Sequence, residues 1–293
     1  MRPLWLALCH TARLLGSQRK LWIPFFLTAL IEIVFLFGLW LAPHPPFSTL
    51  LAPPIQYFFG DRVLHYPAHL WFLYHVMKNT HFLASLLLGA LMSGAACLMV
   101  RQIHQGQPLS FRDALMSGRI HYGRLAFLWL VTWGLAKGLS RGFEALHPAP
   151  SLLVLVTCLV ILVQALIVYA IPAAVFEQLS WWRALMASLR ETCRYPIATC
   201  AVVVLPSVSV MMFAIKASPA RVAEWMFQAE PEMVFGWIAL RLLVWTVADA
   251  VLTVGIAHLW WTHRITSPSP VASQQTTAGT VSNPATGQKS SLA

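Results

Sequence analysis

A chain of 293 residues that is 58% hydrophobic and only 10% charged has too little polar surface to cover a soluble fold, since soluble domains are nearer half apolar and a quarter charged. The formal charge of +10 comes from basic residues spread singly between apolar runs. That spread excludes a nucleic-acid patch and makes membrane lipids, above all anionic headgroups, the expected partner. There is no HExxH, G-x-S-x-G, Walker or Rossmann glycine signature, so no catalytic residue, cofactor or metal is assigned from the chain.

In chain order, residues 1–20 read as a cytoplasmic interfacial helix. The apolar run 4–9 is too short for a signal segment and is followed by His10, Arg13, Arg19 and Lys20. Next comes a membrane domain over 21–263. A helix needs about 20 mostly apolar residues to cross the hydrocarbon core. Six stretches qualify: 21–42, interrupted only by Glu32; 80–100; 122–139, apolar between Arg124 and Lys137; 151–176; 196–215; and 234–261, which contains Arg241 and Asp249. They are apolar on every side, as lipid-exposed helices must be and alternating barrel strands are not. The fold class expected is an all-α polytopic bundle of about six transmembrane helices plus interfacial amphipathic helices. Kinks are expected at Pro172 and Pro206. Close helix packing is expected at Gly134 and Gly138, and along Ser85, Gly89, Ala90 and Gly94.

Between the first two stretches, Pro43, Pro45, Pro46, Pro53 and Pro54 argue against a continuous helix, and 65–79 reads as a separate interfacial helix with an aromatic belt. The tail, 264–293, is Ser-, Thr-, Pro- and Gln-rich and is expected to be disordered. If the N-terminus is inside, the inner segments carry thirteen basic residues (Arg2, Arg13, Arg19, Lys20, Arg101, Arg112, Arg119, Arg124, Arg183, Arg190, Arg194, Arg264, Lys289). The outer ones carry six (Arg62, Lys78, Lys137, Arg141, Lys216, Arg221). The positive-inside rule then puts both termini in the cytoplasm.

Two segments repeat at a spacing of 70: Ser110 begins SFRDALMSGR and Ser180 begins SWWRALMASLR. Each precedes a pair of apolar stretches, and PLWLALCHTARLL near the N-terminus has Ala7 and Leu8 at the matching place. These copies imply a threefold repeat, each unit a short amphipathic helix followed by a helical hairpin.

The second half also carries an apolar helix ending in Pro172, then Glu177, Trp181, Ala184, Leu185, Ser188, and Arg190 or Arg194 before the next stretch. This pattern resembles one in bacterial multi-pass inner-membrane proteins of unknown function, similar to the membrane domain attached to some glycerophosphodiester phosphodiesterases. The resemblance implies a bacterial inner-membrane location. It implies no activity, because the phosphodiesterase domain is absent. Trp181, Trp182, Arg183, Arg190 and Arg194 suit a helix lying among lipid headgroups.

Glu32 and Asp249 are the polar residues most worth attention. Both lie near mid-span, where charge costs roughly 2.5–3.5 kcal/mol and is found facing bundle interiors. Thr28 lies one turn from Glu32, Thr246 and Thr253 flank Asp249, and Arg241 is two turns away from it. Two readings of this set stand open: protonated acids bonding to neighbouring helices, or a midplane site of a small secondary transporter. His65, His69, His75 and His81 read as interfacial rather than metal-binding, and Cys9, Cys97, Cys158, Cys193 and Cys200 as buried, reduced thiols. The functional expectation is a non-catalytic inner-membrane protein in membrane or envelope organisation, acting through lipids, other membrane proteins or copies of itself. The transporter is the alternative.

Overall fold

The structure, a computed structural model, describes residues 2–66, 68–144, 150–215 and 231–266. Of the tail expected over 264–293, residues 264–266 are helical, ending the last helix, and the rest lies outside the described residues. Among the described residues there are helices and no strand. Those used below are α1 (Arg2–Ser17), α2 (Ile23–Leu41), α3 (Ser48–Phe59), α4 (Ala68–Ala84), α5 (Ala90–His104), α6 (Phe111–Ile120), α7 (Tyr122–Glu144), α8 (Pro150–Ile167), α9 (Ala170–Phe176), α10 (Trp181–Arg194), α11 (Pro196–Ile215) and α12 (Pro231–Thr266).

Among the described residues, four helical stretches are long and apolar enough to cross a membrane: Arg19–Leu41, Ala68–His104, Cys158–Phe176 and Glu232–His263. They account for four of the six expected crossings. α2 shows why lipid suits them. Phe26, Leu30, Ile31, Val34, Phe35 and Phe37 are exposed on one side while Phe25, Ala29 and Leu36 are buried on the other. An apolar side chain left outward in this way would be a liability in water.

The expected interfacial helix at 65–79 is not a separate element. α4 begins at Ala68 and continues through one π turn, Ser85–Gly89, into α5. The continuous helix has 37 residues, about 55 Å at 1.5 Å per residue, so it is longer than the hydrocarbon core. The proline-rich segment also becomes helical. α3 contains Pro53 and Pro54 and gives up the two backbone hydrogen bonds their missing N–H groups would make, while its Ile55 packs against Ala42 and Phe72.

α5, α9 and α12 meet at the centre. α2 packs on α12 and α5, α7 on α5 and α8, and α11 on α12 and α8. Three short helices lie at one end, here called basal: α1 on α12 and α11, α6 on α5, and α10 on α8 and α9. Ser110 starts α6 as an N-cap, its Oγ accepting the Asp113 N–H at 3.3 Å.

Close approach is built on Gly94 and Gly255. A Cβ on Gly94 would lie 2.5 Å from Leu125 Cδ1, and one on Gly255 would lie 2.7 Å from Val202 Cγ1 and 3.2 Å from Thr11 Oγ1. The other glycine pair is a correction. A Cβ on Gly134 or Gly138 would meet nothing within 4 Å, so their spacing seats no helix among the described residues. The cysteines are all free, but of the five only Cys97 is buried; Cys158, Cys193 and Cys200 are exposed and Cys9 is half-buried.

The core is divided. A basal cluster holds Leu21, Phe25, Ala90, Met99, Leu125, Tyr169, Ala250 and Ile256 among others. A distal cluster holds Leu36, Leu70, Leu73, Met77, Val234, Ile238 and Leu242. On α2 the division falls between Phe25 and Leu36, on the α4–α5 helix between Met77 and Ala90, and on α12 between Leu242 and Ala250.

Candidate functional site

Glu32, Arg241 and Asp249 lie at that division. Glu32 is 4% exposed, and both its carboxylate oxygens face His81 Nδ1, at 3.0 and 3.1 Å. With Glu32 ionised, Nδ1 carries the proton and donates it to the carboxylate. The imidazole leans on the Trp245 ring, centroids 4.2 Å apart. Above the same indole, 4.7 Å from its centre, sits the Arg241 guanidinium, with Tyr74 and Trp237 each at 6.0 Å. Arg241 makes no ion pair among the described residues; aromatic faces hold its charge. The Trp245 indole N–H is buried and donates to nothing among the described residues.

Asp249 follows one turn after Trp245, on the same face of α12. Leu242 and Ile256, two turns to either side on that face, are buried. Asp249 is nevertheless exposed, which leaves an opening beside its carboxylate. It lies within electrostatic reach of both His81 and Glu32. It forms no hydrogen bond or ion pair among the described residues. Thr28 and Thr246 are committed to their own helices, donating to Pro24 O at 3.1 Å and Leu242 O at 2.8 Å. Thr253 makes no side-chain hydrogen bond among the described residues. Glu32 and Asp249 are therefore brought together with Arg241 nearby, while two of the three threonines serve the backbone.

His81 is the partner that sequence reasoning missed. Lys78, Asn79 and His81 in close succession look like a membrane boundary, and only a helix already begun at Ala68 carries His81 inward. The π turn at Ser85–Gly89 starts one turn later; such turns widen a helix and gather at functional positions. His65 pairs with Asp61 at 3.4 Å, His69 with Val63 O at 3.1 Å and His75 with Trp71 O at 2.9 Å. None of these joins the site. No group of three or more metal-ligating side chains forms among the described residues.

A second polar cluster lies in the basal half and is closed. Pro172 lacks the N–H that would bond the Val168 carbonyl, and the helix breaks at 168–169, between α8 and α9. α10 docks into the break. Ser188 Oγ accepts the Tyr169 N–H at 3.1 Å and donates to Leu166 O at 2.8 Å. Thr192 Oγ1, one turn on, donates to Ala165 O at 2.9 Å. Thr199 Oγ1 donates to Tyr195 O at 2.9 Å, so it accepts the Tyr169 hydroxyl proton, also at 2.9 Å.

Docking fixes which face of α10 turns outward. Ala184, Ser188, Glu191 and Thr192 are buried, while Trp181, Trp182, Arg183, Arg190 and Arg194 are all exposed. Trp181 stands edge-on to Phe127 at 5.1 Å and to Trp182 at 5.7 Å. Arg194 lies 5.4 Å from the Tyr195 ring centre. Comparison with protein-family models, with curated proteins and with solved structures finds no match to this chain.

Proposed function

We propose that the chain is a non-catalytic, multi-pass protein of a bacterial inner membrane that organises anionic lipid around a cytoplasmic layer of amphipathic helices. The observation that carries this is the outward face of α10. Its hydroxyl face is locked into the bundle, so Trp181, Trp182, Arg183, Arg190 and Arg194 are held at the surface in fixed positions. Aromatic rings suit the headgroup layer and arginines suit phosphates. α1 and α6 extend the layer, with Arg13, Arg19 and Lys20 exposed at the first and Arg112 and Arg119 on the second.

Six crossings complete this reading, with α7 and α11 joining the four longer stretches. α7 has 23 residues and α11 has 20, about 30 Å or more at 1.5 Å per residue. The threefold repeat is part of the same proposal. Its units are α1 with α2 and α4–α5; α6 with α7 and α8–α9; and α10 with α11 and α12. Three buried residues support the alignment: Thr11, Gly118 and Ser188 occupy equivalent places, and each faces the second long helix of the preceding unit. Thr11 sits over Gly255 and Gly118 over Gly94 and Ala95, while Ser188 enters the 168–169 break. The order closes into a ring, and both termini then lie on the arginine-rich side.

The test is fluorescence quenching in nanodiscs by brominated phosphatidylglycerol against brominated phosphatidylcholine. The difference between wild type and a W181F/W182F variant isolates these two of the 13 tryptophans. Stronger quenching by the anionic lipid is expected, and an R183Q/R190Q/R194Q variant should lose that preference. Equal quenching by both lipids in the wild type would contradict the proposal.

A further inference from the structure

The opening beside Asp249 has no part in the lipid-facing layer. We propose that it is a proton-binding site inside the bundle, with Asp249 as the group that takes the proton and the Glu32–His81 pair as its electrostatic partner.

Three observations support a ligand site there. First, Asp249 is exposed on a face of α12 that is buried two turns to either side, at Leu242 and Ile256, and it makes no hydrogen bond or ion pair among the described residues. Second, the two apolar cores stop on either side of it on three separate elements, with Glu32, His81 and Arg241 between them, so the polar division is a property of the packing rather than of one side chain. Third, the only π turn described lies on the facing helix, one turn beyond His81.

Charge identifies the ligand. Facing Asp249 are Glu32 from α2, His81 from α4, and Arg241 on α12 itself. Neither α5 nor α11 brings a charged side chain to this depth: α5 carries Arg101 and His104 only in its last turn, and α11 has none. If His81 is protonated it neutralises Glu32, at 3.0 Å. Arg241 starts eight residues away and lays its guanidinium on the Trp245 ring, 4.7 Å from its centre, making no ion pair with Asp249. An ionised Asp249 then has no cation in an ion pair with it among the described residues, in a setting where an unpaired charge is costly. A bound metal ion fits poorly, because hard cations take six to eight oxygen ligands and the site supplies one free carboxylate and the Thr253 hydroxyl. A proton needs only the carboxylate. His81 Nε2 makes no hydrogen bond among the described residues, which leaves it free to pass a proton on while Nδ1 holds Glu32.

Infrared difference spectroscopy of the purified protein in nanodiscs, between alkaline and acidic buffer, reads this directly. Acidification should produce a protonated-carboxyl C=O band that shifts in heavy water. The band should vanish in D249N, persist at shifted frequency in D249E and persist in E32Q. Exchanging choline chloride for sodium chloride should leave its titration unchanged. A band that survives D249N in folded protein would overturn the proposal, as would its loss in E32Q alone. Displacement of the proton by sodium would also overturn it, assigning the opening to a metal cation instead.

Discussion

The helix break at Tyr169 and the division at Asp249 are two ways of placing polar atoms inside an apolar bundle, and they end differently. At the break, backbone groups are left open and α10 satisfies them: Ser188 takes the Tyr169 N–H and Leu166 O, and Thr192 takes Ala165 O, while Thr199 of α11 takes the Tyr169 hydroxyl. At the division, Glu32 has His81, but Asp249, the Trp245 N–H and Thr253 have no partner among the described residues. A buried polar group is tolerated when it is bonded and costly when it is not. The first cluster therefore supports the fold, and the second is retained at the expense of the fold.

That contrast can be broken by substitution. Ser188→Val should have the largest effect, because it orphans the Tyr169 N–H and Leu166 O together. At about 1–3 kcal/mol per group, the loss is about 2–6 kcal/mol, measured as unfolding in mixed micelles. Gly255→Leu should follow at about 1–3 kcal/mol, the usual cost of overpacking, since its Cβ alone already meets Val202 and Thr11. It should also free α1, read as faster proteolysis near the N-terminus. Thr199→Val loses both hydroxyl bonds, but Tyr195 O keeps the Thr199 N–H and only the Tyr169 hydroxyl is orphaned, so it should cost about 1–2 kcal/mol. Asp249→Asn should be smallest, neutral or stabilising by a few tenths of a kcal/mol, because it removes an unpaired charge. A large destabilisation by Asp249→Asn would move that residue into the same class as Ser188.

The sequence discloses the helical class, the membrane character and two members of the site. A single charge in an apolar stretch is conspicuous, so Glu32 and Asp249 could be picked out from composition alone. His81 could not, because its neighbours Lys78 and Asn79 imitate a membrane boundary, and only the three-dimensional course of α4 sets it against Glu32. Ser188 was visible as part of a pattern, yet a hydroxyl in an amphipathic helix carries no sign of what it will bond. Its role depends on a proline sixteen residues earlier in the chain, through backbone groups that every residue shares. Gly134 and Gly138 show the reverse case, a spacing that promises contact where the structure leaves space.

Cysteine accessibility tests the difference between the two clusters most directly. In a background with Cys9, Cys97, Cys158, Cys193 and Cys200 replaced by alanine, Asp249→Cys and Ser188→Cys would each be treated with a membrane-impermeant, water-soluble thiol reagent in nanodiscs. Labelling at 249 and none at 188 is the predicted result, because the division is open and the break is sealed. Equal protection at both positions would contradict an open site at Asp249 and leave a bundle packed alike throughout.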